Sequence, residues 1–275
     1  MFCCASSKLS SGDKKYRQYS CAYFTKDDES LEDAQQNKIN HIIKKLNIKP
    51  GQKVLDIGCG WGGMAFEIAR QSQCEVKGIS LSENQIKYCK KKAKELNMDN
   101  QVYFEFCDYR EIKDKFDRVV SVGAFEHFGK KFYKTFFKKV HNIMTDDGIC
   151  LLHTIGSVDP PGPIQPFIQR RIFPGGRIPS LSDLVNPIEK TGLIIADSET
   201  MIHHYDKTLK IWLERFLKNK EKAKSLYNKE FVRMWECYLS MCSAAFKFRD
   251  LVVYQLQLVK NFTAPPSNRR NYIYQ

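Results

Sequence analysis

The chain carries the segment VLDIGCGWGG at residues 54–63, an apolar run that leads straight into a glycine-rich turn. The run is typical of a buried strand, and Gly58, Gly60 and Gly63 follow it in GxGxxG spacing before a helix-like segment. Glycines let a backbone turn tightly against a ligand, and the N-terminus of the next helix offers unpaired N–H donors. The segment therefore predicts a nucleotide-type binding loop, a feature that dinucleotide dehydrogenases share.

Strand-like and helix-like segments alternate from Lys53 to about Gly156. Helical patterns separate the apolar runs, which read VLDIG, EVKGIS, VYFEFC, FDRVVSVG and ICLLHTI. Alternation at such short spacing is typical of a parallel sheet with right-handed crossovers. We therefore predict an α/β fold with a doubly wound, Rossmann-like sheet.

The rhythm changes after Gly156, where a Pro/Gly-rich segment is followed by helical patterns at 181–191 and 207–249. The last two strand candidates, LIIADSETM and LVVYQLQLV, lie between and after these patterns. Insertions at this edge would lie near the carboxyl ends of the strands, where ligands bind. We predict one domain over residues 19–275, with helical lid insertions at about 157–191 and 205–250 and a mobile segment at residues 1–18. Packing helices without a ligand role are the alternative.

The charge balance favours a polyanionic partner, because Lys+Arg 44 against Asp+Glu 31 gives a net charge of +13. No nucleic-acid-binding signature is visible, so we expect an anionic membrane surface and no nucleic acid. The helical run at 207–224 could touch a membrane or be an ordinary solvated helix. No metal site is predicted.

The 10 cysteines are scattered and include no CxxC pair, which is typical of reduced thiols in a cytoplasmic protein. No run of about 18 apolar residues and no signal-peptide pattern is present. We therefore expect a soluble, cytoplasmic protein that binds membranes peripherally.

Polar residues at the ends of the first three strands favour S-adenosylmethionine over a dinucleotide. Asp56 lies two residues before the first glycine, where a carboxylate can face the positive end of that cofactor. The second strand ends in Ser80, without the carboxylate that a dehydrogenase uses on a ribose hydroxyl, and Gln85 could substitute for it. Asp108 could accept from an adenine amino group with Tyr109 stacked beside it, or it could merely cap a turn.

Seven segments together carry a family resemblance that spans about Tyr16 to about Lys260. They are YSCAYF at 19–24, DIGCGWGG, GISLSENQ, SVGAFEHFG at 121–129, LLHTIG at 151–156, IFPGGRIPS at 172–180 and the Cys-Tyr-Leu…Cys…Phe pattern of 237–246. With them the chain resembles the cyclopropane-fatty-acid synthases, including the mycolic acid cyclopropane synthases. The resemblance implies a class I methyltransferase fold and a methylene transfer from S-adenosylmethionine to a cis double bond of a lipid acyl chain. A bound bicarbonate ion would remove the proton, so that a cyclopropane ring closes.

The resemblance also implies which residues form the site. Bicarbonate would lie at Cys21, Glu126, His153, the backbone of Ile155 and Tyr238. S-adenosylmethionine would lie at Tyr19, Ser20, Asp56, Gly58, Gly60, Gly63, Ser80, Leu81, Gln85, Asp108 and Tyr109. We expect Cys21 to act through its position and not as a thiolate. His127 points to the opposite side from Glu126 if the strand continues, and His153 could instead be a core histidine.

The implied partner is an unsaturated phospholipid or a carrier-bound acyl chain, and a homodimer is a further expectation. Three alternatives stay open. The chain could be a small-molecule N-methyltransferase, or a lipid C-methyltransferase that leaves a methyl branch or a hydroxylated product. It could also be a basic protein that binds S-adenosylmethionine without catalysis.

Overall fold

The computed structural model describes residues 17–265 and 270–274, so most of the predicted mobile segment, residues 1–16, lies outside the described residues. Seven strands form one sheet: β1 (Lys53–Ile57), β2 (Glu75–Ser80), β3 (Val102–Phe106), β4 (Phe116–Val122), β5 (Met144–Ser157), β6 (Ile194–Met201) and β7 (Leu251–Val259). Their spatial order is β3-β2-β1-β4-β5-β7-β6. The first five strands are parallel, and β7 runs antiparallel between β5 and β6. The predicted α/β sheet is confirmed.

The described helices are α1 (Leu31–Leu46), α2 (Gly63–Ser72), α3 (Glu83–Glu95), α4 (Tyr133–Ile143), α5 (Leu181–Glu189), α6 (His204–Lys218), α7 (Lys220–Leu226), α8 (Lys229–Phe248) and α9 (Asn271–Tyr274). Apolar residues of α1, α2 and α3 pack with β1 and β2 in one buried cluster. Residues of α4 and α5 pack with β4, β5 and β7 in a second cluster. Helices therefore cover both faces of the sheet, as a doubly wound fold requires.

Helix α1 is an element that the strand and helix alternation did not predict. Ser30 caps its N-terminus by accepting from the backbone N–H of Asp33, and Asn47 ends it in a left-handed conformation. Its inward face includes Lys38 and Lys45, which are both fully buried. Buried lysines weaken the apolar periodicity by which a helix is found in a sequence.

The predicted helical region at 207–249 consists of three helices, α6, α7 and α8, with breaks at Asn219 and Asn228. Most of the apolar face of α6 is buried, although Leu217 is exposed: Trp212 and Phe216 pack with residues of α8 and of the N-terminal loop in a third cluster. None of the helices in the described residues is long and apolar enough to span a membrane.

Candidate active site

A cavity of about 450 Å³ lies at the carboxyl ends of β1, β2 and β4, and we call it the glycine-loop cavity. This is the edge at which a doubly wound sheet binds ligands. Seven of the predicted cofactor residues line it: Tyr19, Ser20, Asp56, Gly58, Gly60, Ser80 and Gln85. Loops after three different strands therefore converge on one space.

The glycine-rich loop turns sharply from β1 towards β2. The N–H groups of Gly58 and Cys59 both donate to the carbonyl of Ile79, at 2.9 and 3.0 Å. Gly58 has a φ of +82°, and a Cβ there would lie 2.4 Å from the Cβ of Ala124. Gly60 has a φ of +55° and no atom within 4 Å of a Cβ position, so the loop leaves room for a ligand at this point.

Asp56 supplies a carboxylate to the glycine-loop cavity. Its side chain is buried, and its Oδ2 has no hydrogen-bond partner among the described residues. Burial raises the pKa of Asp56 to about 7, although the Lys38 ammonium acts in the opposite direction. A buried carboxylate with an unpartnered oxygen fits the positive end of a cationic ligand such as S-adenosylmethionine.

The loop that contains Tyr19, Ser20 and Cys21 separates this cavity from a second one. Lys38 Nζ donates to Ser20 Oγ at 2.8 Å, and Gln35 Nε2 donates to the Ser20 carbonyl at 3.0 Å. Helix α1 therefore holds the loop in place through two buried polar side chains. Tyr19 and Ser20 line both cavities.

The second space, which we call the inner cavity, has a volume of about 120 Å³ and mostly apolar walls. All five of the predicted catalytic residues line it: Cys21, Glu126, His153, Ile155 and Tyr238. They come from the N-terminal loop, the turn after β4, strand β5 and helix α8. Folding brings together residues that are more than 200 positions apart in the chain.

Glu126 lies in a 3-10 turn, Phe125–His127, directly after β4. The backbone N–H of Ile155 donates to its Oε1 at 2.6 Å, and its Oε2 has no partner among the described residues. Burial raises the pKa of Glu126, and the hydrogen bond from Ile155 opposes the shift. The protonated form is therefore favoured relative to an exposed glutamate, and its O–H can donate into the cavity.

His153 lies opposite Gln255 in the register of β5 and β7, and Gln255 Nε2 donates to its Nδ1 at 3.1 Å. The proton of the neutral ring is then on Nε2. Burial lowers the pKa of His153 well below its usual range, and Lys38 and Lys45 lower it further. His153 is therefore a neutral donor.

Tyr238 and Cys21 complete the wall of the inner cavity. The hydroxyl groups of Tyr238 and Tyr19 are 3.2 Å apart, which joins α8 to the N-terminal loop. The Cys21 thiol donates to the Ala22 carbonyl at 3.2 Å, and burial raises its pKa. A buried thiol in this state is not a nucleophile.

Four predicted cofactor residues do not line the glycine-loop cavity. Leu81 is 64% exposed, and Gly63 begins α2. Asp108 accepts from the backbone N–H of Arg110 and also pairs with its guanidinium at 2.6 Å, as a turn cap would. The Tyr109 ring is buried, with its centroid 4.9 Å from that of Phe128.

His127 was expected to point away from Glu126 only if strand β4 continued that far, and β4 ends before it. His127 lines both cavities, and its ring contacts that of Phe173 edge-on, with the centroids 5.8 Å apart. The strand ends at Val122, and a 3-10 turn does not send adjacent side chains to opposite faces. The glycine at 123 was the signal for this break. Arg17 and Phe173 also line the glycine-loop cavity and were not predicted to do so.

Comparison with known proteins places this geometry in a family. Residues 12–256 match the profile of the mycolic acid cyclopropane synthetase family. The chain is 41% identical over 241 residues to the cyclopropane-fatty-acyl-phospholipid synthase of Escherichia coli, a match that covers 88% of this chain and 62% of that protein. The chain thus spans less than two thirds of the length of this relative.

Two solved structures superpose on nearly the whole chain. One is the cyclopropane synthase MmaA2 from Mycobacterium tuberculosis, and the other is the mycolic acid cyclopropane synthase CmaA1 complexed with SAH and CTAB. Each gives a TM-score of 0.85 at 31% identity and covers 92% of this chain and 95% of the other. The match confirms the class I methyltransferase fold. The chain belongs to the mycolic acid cyclopropane synthetase family.

Proposed function

We propose that this protein is an S-adenosylmethionine-dependent methyltransferase that converts a cis double bond of a lipid acyl chain into a cyclopropane ring. One observation carries the proposal: the inner cavity gathers a carboxyl, an imidazole and a phenol inside apolar walls. This cavity adjoins the glycine-loop cavity through residues that line both, among them Tyr19, Gly123 and Phe173. A methyl donor in one cavity would therefore face a substrate in the other.

The glycine-loop cavity fits S-adenosylmethionine. Its volume of about 450 Å³, the open backbone at Gly60 and the unpartnered oxygen of Asp56 supply space, close approach and a counter-charge. The similar CmaA1 structure holds SAH, which supports the same class of ligand here. The cofactor supplies an electrophilic methyl group when it is bound. Asp56 would bind it in its ionised form.

The inner cavity fits an acyl chain. Apolar side chains such as Ile168, Leu209 and Phe246 form its walls, and water-excluding walls suit a reaction through a carbocation. An alkene is a weak nucleophile, so the protein must hold it at a fixed distance and orientation. Tyr19 and Phe173, which line both cavities, are placed to position it.

The polar cluster fits a small anion that acts as the base, which we propose to be bicarbonate. Burial favours the uncharged forms of Glu126 and His153, which lessens the repulsion that a bound anion would meet. The Glu126 O–H, the His153 Nε2–H and the Tyr238 O–H can all donate to it. Bicarbonate would supply the proton acceptor that the uncharged cluster lacks.

The proposal also covers where the protein works and its oligomeric state. We propose that it works in the cytoplasm, peripherally on an anionic membrane, on an acyl chain of an unsaturated phospholipid, and that it forms a homodimer. The net charge of +13 supports the membrane part.

The test is a reaction of purified protein with S-adenosylmethionine and vesicles of unsaturated phosphatidylglycerol, with and without added bicarbonate. We expect the acyl chains to gain one CH₂ unit by mass spectrometry and to show ring protons by NMR, at a rate that rises with bicarbonate. A product with a methyl branch or a hydroxyl group would show that the carbocation does not close to a ring. Labelled methyl on amines and none on lipid would refute the proposal.

A further inference from the structure

A groove of about 630 Å³ opens from the inner cavity to the surface, and we call it the outer groove. The Pro/Gly-rich segment at 159–163 forms one side, and the C-terminal part of α8 and the start of β7 form the other. Ile168, Ile178 and Cys242 line both the groove and the inner cavity. The outer groove and the inner cavity therefore adjoin, as a chain-like ligand that reaches from the surface to the polar cluster would require.

Large apolar side chains stand exposed around the mouth of the outer groove. Phe248 lines the groove and is 74% exposed, Val158 is 61% exposed, and Leu181 is 40% exposed. Val158 and Leu181 directly follow Ser157 and Ser180, which line the groove. An exposed phenylalanine in the lining of an opening, with two more exposed apolar residues next to lining residues in the chain, is a candidate contact surface.

A polar pocket of about 260 Å³ lies next to this mouth, and we call it the lysine pocket. Lys130, Lys131, Lys134 and Lys190 line it. Lys130 pairs with Asp183 at 2.7 Å, whereas the other three have no carboxylate partner within the described residues. The pocket therefore keeps an excess of positive charge.

The first turn of α5 joins the two features. Ser180 lines the outer groove and Ser182 lines the lysine pocket, and their hydroxyl oxygens are 3.0 Å apart. Asp159 and Asp250 also line the groove, and Asp250 accepts a hydrogen bond from Ser157 Oγ at 2.9 Å. Arg249 lines the groove itself and has no carboxylate partner within the described residues, so uncompensated cations lie both at the apolar mouth and to one side of it.

We propose that the apolar mouth and the lysine pocket form one docking surface for a bilayer of anionic phospholipid. The lysines would contact lipid phosphates while Phe248 and Val158 insert at the level of the upper acyl chain, and the outer groove would admit one chain. The inference rests on the proposed function. A bilayer fits this surface better than an acidic acyl-carrier protein does, because inserted apolar side chains need a hydrocarbon layer. Helix α6 is a poorer match for the role, since Leu209, Trp212 and Phe216 are buried and Leu217 is the one exposed residue of its apolar face.

The experiment measures binding of the full chain to vesicles by flotation, with no reaction required. The vesicles contain either phosphatidylcholine alone or phosphatidylcholine with phosphatidylglycerol. The test variant is Lys131→Gln/Lys134→Gln, and the matched control is Lys90→Gln/Lys94→Gln, which removes the same charge from exposed positions on α3. Binding of S-adenosylmethionine verifies that each variant is folded.

We expect the test variant to bind anionic vesicles about 30-fold more weakly than the unaltered chain, since each lysine near such a surface contributes about 1 kcal/mol. The affinity of the control variant for anionic vesicles should change by less than about threefold. Phe248→Ser should weaken binding to both kinds of vesicle, because its contribution does not depend on lipid charge.

Four outcomes would overturn the inference. One is equal weakening in test and control, and another is unaltered binding in the test variant. The third is turnover of an acyl group on a carrier protein with no binding to anionic vesicles. Cyclopropane formation at the unaltered rate by the lysine variant on anionic vesicles would refute the docking surface and leave the proposed function intact. Vesicle binding without any lipid product would refute the proposed function and leave the docking surface intact.

Discussion

Tyr238→Phe isolates one hydroxyl at the junction of the inner cavity and the N-terminal loop. The substitution removes the contact between the Tyr238 and Tyr19 hydroxyls and keeps the ring, which packs edge-on against Phe173 with the centroids 5.9 Å apart. The fold should therefore survive. Loss of one ordinary hydrogen bond costs about 1 kcal/mol of unfolding free energy, which lowers the melting temperature by about 2 °C in a chain of this size.

The effect on catalysis should be larger than the effect on stability. A hydrogen bond to a buried charged group contributes about 1.5 to 3 kcal/mol. If Tyr238 donates to a bound anion in the inner cavity, its removal should lower kcat/KM by about 10- to 100-fold, since 1.4 kcal/mol corresponds to about a factor of ten. The concentration of bicarbonate that gives half-maximal rate should rise. The affinity for S-adenosylmethionine should change little, because Tyr238 does not line the glycine-loop cavity.

Initial rates of lipid product formation, measured across a bicarbonate series, test this expectation. Tyr254→Phe is the matched control: it also removes one tyrosine hydroxyl, which donates to the Ser157 carbonyl at 2.9 Å, but it lies outside both cavities. The control should lose similar stability and keep its bicarbonate response. A Tyr238→Phe enzyme with an unaltered rate and bicarbonate dependence, or equal losses in both variants, would refute the reasoning.

Three further predictions concern the cofactor loop and the fold. Asp56 has a pKa of about 7 in the free protein and binds a cation only when ionised, so S-adenosylmethionine affinity by calorimetry should fall below pH 7, by up to about tenfold per unit. Asp56→Asn should bind weakly and without that pH dependence; an unaltered pH profile would contradict this. Gly58→Ala should unfold in urea at least about 2 kcal/mol more easily than Gly129→Ala, because both glycines have positive φ but only Gly58 would also clash. Glu199→Gln removes the carboxylate 2.5 Å from the buried Lys45 ammonium and leaves Asp197 at 3.5 Å, so it should cost about 2 kcal/mol in the same assay, whereas a cost below about 0.5 kcal/mol would show that the ion pair is not structural.

The parallel half of the sheet could be predicted from the sequence because its strands are short, apolar and separated by amphipathic helices. The glycine spacing then fixed the edge at which a ligand would bind. Helix α1 could not be predicted in this way, because its inward face carries Lys38 and Lys45. Its role as the support of the Tyr19–Cys21 loop appears only where Lys38 and Ser20 meet in space.

The site was predicted unevenly, and the difference has a physical basis. The five predicted catalytic residues were named from family motifs, and the structure gathers all five around the inner cavity. Asp108 and Tyr109 follow a strand end as expected, yet local contacts with Arg110 and Phe128 occupy their side chains. His127 was expected to point away from Glu126 only if the strand continued, and the backbone leaves the strand earlier, at Gly123.

The sequence by itself determined the alternation of strands and helices, the binding loop and the family, since these depend on residue types at short, regular spacing. Only the tertiary structure decided the direction of the pKa shifts and the connections between cavities. Burial raises the pKa of Glu126, and burial beside Lys38 and Lys45 lowers the pKa of His153; both effects depend on segments far away in the chain. The series of adjoining cavities from the outer groove to the glycine loop likewise forms only where the loop at Tyr19, the turn after β4 and helix α8 meet. The sequence could not show this, because no local pattern records which distant segments will pack together.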